Sequence, residues 1–188
     1  MNTADALIQE FTRMIVADGL EAFTLRKLAD RVGIKAPSIY VHFESKEALF
    51  AAARAEASKS LGVALAEHAG GKSRGDARNR LLNTAMAYLQ FAQDQPALFA
   101  LMFQETPSNR SSLDQAPDPD SPYAILLSRV REFLPADHPQ SEVLSFGIWA
   151  LVHGAAQLRQ THLQKFGAAI IDGTRRNLDA LLDGWAVT

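Results

Sequence analysis

Residues 24–43 read TLRKLADRVGIKAPSIYVHF, and their spacing decides the fold. Leu25, Leu28, Ala29 and Val32 form one apolar stripe at helical spacing, with Thr24 placed to cap its start and Gly33 to end it. Pro37 is well tolerated at the first position of the short helix that follows. Ala29 is small where a second helix must cross the first, and Gly33 permits the left-handed backbone of a sharp turn. Leu28, Val32, Ile34 and Ile39 are apolar where a helix-turn-helix buries its small core. Together these spacings predict that motif over 24–43.

With Ile39 and Phe43 facing inward, Pro37, Ser38, Tyr40 and His42 are left on the outer and N-terminal faces of the second helix. Such a helix presents its N-terminal half to base edges in a major groove while neighbouring groups fix phosphates. Ser38 and Tyr40 can donate to phosphate oxygens, and Pro37 can pack on a thymine methyl. Ser45 can cap a further helix, whose first residue, Lys46, adds its charge to the amides of that helix start.

Working outward, the chain reads as helix nearly everywhere. Leu7, Ile8, Phe11, Met14 and Ile15 predict a first helix stopped by Gly19. From Lys46 to about Ala66 there is no proline, and Leu49, Phe50, Ala53, Ala57, Leu61 and Leu65 keep a helical beat. GGKSRGD at 70–76 breaks it. Helices follow over 77–93, from Pro96 through PALFALMF, and from Ser121-Pro122, and the last two span about 141–164 and 168–186. The Pro-, Ser- and Asp-rich stretch 104–122 is expected to be a loop, a candidate gate to an interior site. The expected fold is all-α, with a three-helix head over 1–48, and a helical body over 49–188 that begins with the long connecting helix.

Composition narrows the function. The 188 residues include no cysteine, which rules out disulfides and thiolate metal sites. No apolar run reaches membrane-spanning length, and the expected location is cytoplasmic. Net charge is −2, but over 25–48 five cations (Arg26, Lys27, Arg31, Lys35, Lys46) face three acids (Asp30, Glu44, Glu47). A phosphate-binding surface must therefore be local. AEHAGGKS at 66–73 ends like a phosphate-binding loop, yet Ala66 stands where its first glycine belongs. The histidines show no metal-ligand spacing, and no nucleophile elbow occurs, so neither metal, cofactor nor catalytic residue is expected.

Residues 5–50 resemble the DNA-binding domain of the tetracycline-repressor (TetR) family, on TLRKLADRVGI and on Tyr40, His42, Phe43, Ser45 and Lys46. The resemblance implies a homodimer with two heads, a ligand-binding body, and release of a palindromic double-stranded DNA operator when a small organic effector binds. It implies phosphate contacts by Thr24, Tyr40 and Lys46, and base or nearby backbone contacts by Arg26, Lys35, Ala36, Pro37, Ser38 and His42. Ala36 departs from the founding member, which has an amide there; alanine cannot make that bidentate bond to adenine.

WALVHG at 149–154 resembles the Trp-x-x-x-His-Gly signature of the family's WHG-type regulatory domain. Trp149 and His153, with Tyr88, Phe91, Phe99, Met102, Phe103 and Gln157, then either line an effector cavity or form plain core. The two C-terminal helices are expected to pair with those of a second subunit through Leu151, Leu158, Leu178, Leu181, Leu182 and Trp185. Two further readings stay open: an architectural DNA binder without effector, which near-neutral charge disfavours, and a helical enzyme with an incidental helix-turn-helix.

Overall fold

The computed structural model describes residues 2–70, 76–103 and 121–186, and among them there is no strand. Helix α1 (Thr3–Asp18) starts where the Asn2 side chain accepts the Asp5 N–H at 2.8 Å, and stops at Gly19 with φ 77°. Helix α2 (Leu25–Val32) is capped by Thr24, whose hydroxyl accepts the Lys27 N–H at 3.2 Å. Gly33 closes it at φ 78° and ψ 29°, the left-handed conformation the turn requires.

The segment after the turn, Ala36–Val41, is a 3-10 helix, tighter than the α-helix that its composition suggests. At six residues it is too short to settle into i→i+4 bonding: Ser38 N–H bonds Lys35 O, and His42 N–H bonds Ile39 O. Ile39 alone of the six is buried. Helix α3 (Lys46–Gly70) begins where the Ser45 hydroxyl accepts the Ala48 N–H at 3.1 Å.

The chain packs as two compact units. The first holds residues up to Ser60 together with α5 (Pro96–Met102), which lies on α1. Its core gathers Leu7, Phe11, Met14, Ile15, Leu28, Ala29, Ile39, Leu49 and Leu101. The rings of Phe11, Phe23 and Phe50 meet edge-on, with centroids 4.6, 4.9 and 5.5 Å apart, a favoured geometry for aromatic packing.

The second unit holds the end of α3 from Leu61, α4 (Ala77–Asp94), α6 (Pro122–Phe133), α7 (Ser141–Arg159) and α8 (Gly167–Ala186). Helix α4 packs on α6, α7 and α8. Arg78 ties α4 to α8 through Asp179 at 2.8 Å and Asp183 at 2.7 Å. The buried hydroxyls of Thr84, Ser145 and Thr174 each donate to the carbonyl four residues back, which satisfies them inside an apolar core. Helix α7 ends at Arg159, earlier than its apolar pattern suggests. There Thr161 donates to Leu158 O, accepts from Leu163 N–H and starts the short 3-10 segment His162–Phe166. Most of the expected loop 104–122, and nearly all of the break at 70–76, lie outside the described residues. No helix among the described residues is long and apolar enough to cross a membrane.

Candidate nucleic-acid interface and interior polar cluster

The first unit presents its reading surface by subtraction. Ile39 and Phe43 are buried and hold the 3-10 segment to the core, leaving Pro37, Tyr40, Val41 and His42 exposed and Ala36 and Ser38 half-buried. Tyr40 is 53% exposed, so its hydroxyl stands clear of the fold. Thr24 is exposed at the start of α2 but spends its oxygen on the helix cap. Its hydroxyl proton remains available to a phosphate.

The cations do not act as the sequence count suggests. Arg31 is held by Glu10 at 3.3 Å and Asp18 at 3.0 Å, both on α1. Lys27 donates to the Ala22 carbonyl at 3.0 Å. Arg26, Lys35 and Lys46 are exposed and make no ion pair among the described residues, and the Lys46 ammonium lies 5.3 Å from the centre of the Phe50 ring. Beside Lys46, backbone and Ser45 hydrogen bonds at the start of α3 hold the Glu47 carboxyl below its ordinary pKa. That shift reports the positive end of the helix, where a phosphate would also be favoured.

In the second unit, four of the expected interior residues come together. The Tyr88 hydroxyl is 2.9 Å from His153 Nδ1, and His153 Nε2 is 3.4 Å from the Gln157 amide. The Trp149 ring lies 6.2 Å from that of His153, between Tyr123 at 6.0 Å and Phe146 at 6.2 Å. Burial pushes the Tyr88 phenol well above its usual range, opposed in part by a hydrogen bond with Trp149. Burial also depresses His153. Both groups are therefore neutral near pH 7, and the cluster is one of uncharged donors and acceptors.

Phe91 is buried on α4. Phe99 is fully buried on α5 in the first unit, 5.0 Å from Phe103, and Met102 beside them is half-buried. Leu178 and Leu182, at 1% and 0% exposure, point into the protomer's own core and support the outer face from beneath rather than forming it. Leu158 is exposed, and Leu151, Leu181 and Trp185 are half-buried. An open groove of about 340 Å³ runs between Gln140, Ala180, Leu181, Gly184 and Trp185.

Sequence reading passed over Val41, Tyr123 and Phe146. A period of three through the 3-10 segment would have placed Val41 beside Ser38. Phe146 sits one helical turn before Trp149 on α7.

Comparison with known proteins covers both units. The family model described as "Bacterial regulatory proteins, tetR family" matches residues 7–53, and "Tetracyclin repressor-like, C-terminal domain" matches residues 81–183. Among solved structures, a protein of unknown function from Rhodococcus sp. RHA1 superposes with a TM-score of 0.76 at 23% identity, over 99% of this chain and 96% of that one. A TetR family transcription regulator from Marinobacter aquaeolei VT8 gives 0.66 at 21% identity, over 96% and 94%. A TetR variant from Acinetobacter baumannii AYE in complex with minocycline gives 0.67 at 16% identity, over 97% and 95%. At these identities the likeness establishes the shared fold. No curated protein sequence matches the chain.

Proposed function

Since the chain belongs to the tetR family of bacterial regulatory proteins, whose members are DNA-binding transcription regulators, we propose that it is an effector-responsive repressor. It binds a palindromic operator as a homodimer and leaves it when a small organic molecule occupies the body. The observation that carries this reading is the exposed set Pro37, Tyr40, Val41 and His42, held outward by buried Ile39 and Phe43. Thr24, Tyr40 and Lys46 fix phosphates; Arg26, Lys35, Ala36, Pro37, Ser38 and His42 meet bases or adjacent backbone. One head supplies few cations, so two must act together, and the two-fold symmetry of a dimer then calls for a palindrome.

Dimerisation uses the outer faces of α7 and α8, where Val143 and Phe146 are each 61% exposed and Leu158 is 47% exposed. Leu151, Leu181 and Trp185 extend that apolar surface. Leu181→Asp is expected to give monomers by light scattering after size exclusion, and a persistent dimer would move the interface elsewhere.

The effector contacts the Tyr88, Trp149, His153 and Gln157 cluster. Its aromatic rings and uncharged polar atoms suit a neutral organic molecule, and the A. baumannii structural neighbour, solved in complex with minocycline, is a protein of this fold that binds an organic ligand. Release is a population shift: a hundredfold loss of operator affinity needs a coupling of about 2.7 kcal/mol.

The deciding experiment is fluorescence anisotropy on DNA fragments flanking the chain's own gene, against scrambled DNA at matched salt. Saturable, palindrome-dependent binding by two protomers per site is the expected result. Equal, steeply salt-dependent binding to both DNAs would replace the operator-specific regulator with an architectural binder.

A further inference from the structure

The 3-10 segment places a purely apolar side chain where the other outward residues are polar or cyclic. Three residues make one turn of such a helix, so side chains three apart share an edge. Ala36 and buried Ile39 form the inner edge, Pro37 and Tyr40 a second, and Ser38 and Val41 a third. Val41 is 80% exposed, more than any other large hydrophobic residue exposed among the described residues. A lone exposed valine elsewhere would need no explanation. This one lies within the surface assigned to DNA, next in sequence to the exposed Tyr40 hydroxyl and close to exposed Pro37.

Reach does not exclude it. At about 2.0 Å per residue, Val41 lies about 10 Å along the segment from Ala36, within a major groove about 12 Å wide. Its isopropyl group can neither donate nor accept a hydrogen bond, so phosphates and base amides or carbonyls offer it nothing. The apolar feature of a major-groove edge is the methyl on pyrimidine C5.

We propose that Val41 is a specificity-determining residue that packs on a pyrimidine C5-methyl group in each operator half-site, and that thymine is its natural source. The inference rests on the DNA-binding reading of the head. It adds a discrimination that hydrogen bonds from Ser38, Lys35 or His42 do not supply, because those groups cannot sense a methyl.

The test begins with the full-length protein and a random-sequence DNA duplex library. The duplex enriched after repeated selection is remade with dU for dT at each position in turn, and with dC or 5-methyl-dC at the position most sensitive to that change. Affinities are read by anisotropy. Removing the methyl is expected to weaken binding about fourfold per half-site, equivalent to one methyl-sized burial of about 0.8 kcal/mol. 5-Methyl-dC should bind better than dC by a similar factor. In Val41→Ala the penalty should shrink at one position, any position read by Pro37 keeping its own, while thermal unfolding stays unchanged, as befits an exposed residue. A Val41→Ala protein that keeps the full penalty at every sensitive position, or a native protein with no position above about twofold, would overturn the assignment. Failure of the library to enrich any duplex would overturn the DNA-binding reading beneath it, and so is a separate result.

Discussion

In the first unit Ile39 and Phe43 are buried, and Tyr40, Val41 and His42 between them are exposed. In the second unit buried Tyr88 on α4 meets half-buried His153 from α7. Both regions are built from apolar helices, but one carries its chemistry on the residues that packing rejects and the other on a buried tyrosine and the half-buried residues beside it. The difference matters for inference. An outward surface follows once the core is assigned, because whatever the core does not need must face solvent. An inward cluster looks like core until its polar atoms are located.

The comparison breaks most visibly if the core of the first unit is weakened. Phe11 is fully buried and touches both Phe23 and Phe50, so Phe11→Ala should cost about 3–5 kcal/mol of stability in urea unfolding. A loss below about 1 kcal/mol would mean that the ring trio does not hold the unit together. Tyr40→Phe tests the opposite face. It should leave the unfolding midpoint unchanged yet weaken operator binding about tenfold or more, the scale of one hydrogen bond to a charged group, about 1.5–3 kcal/mol. Equal affinity would remove Tyr40 from the contact set.

Gly33→Ala probes the turn alone. No atom lies within 4 Å of the added Cβ, so the cost is backbone strain at φ 78°, about 1–2 kcal/mol. A neutral result would show that the turn relaxes to another conformation.

The smallest effect concerns the inner cluster. Burial lowers the His153 pKa from 6.5, so the unfolded chain takes up this proton first on acidification. Its contribution to stability is complete above pH 6.5 and lost as pH falls through the folded value. His153→Gln should flatten that part of the stability profile, and an unchanged profile would show that other groups carry it.

Much of the first unit was legible in the sequence, because Gly33, Ala29 and the apolar spacing each admit few alternatives. The caps at Thr24 and Ser45 were legible for the same reason: short hydroxyl side chains before apolar runs have one good use. Other features depended on contacts between distant residues. That Arg31 is held by Glu10 and Asp18 requires α2 to lie on α1, and no local pattern states this. PALFALMF announces a helix but not that it packs on α1. Leu178 and Leu182 share an apolar stripe with Leu181 and Trp185, and only the packing of α8 separates inward from outward members. The Tyr88–His153 bond joins residues 65 apart, although WALVHG drew attention to one of its ends.

The Arg31 ion pairs carry a consequence for how the protein meets a changing cell. With Arg31 paired to Glu10 and Asp18 and Lys27 donating to the Ala22 carbonyl, the proposed contact set leaves Arg26, Lys35 and Lys46 as the cations that displace counterions from DNA. Two such heads would release about six, giving a salt slope near −5 in log affinity against log ionic strength, half that of strongly electrostatic repressors. On the proposed reading, occupancy of the operator would then follow effector concentration more than the ionic strength around it, which allows a chemical sensor to report on chemistry.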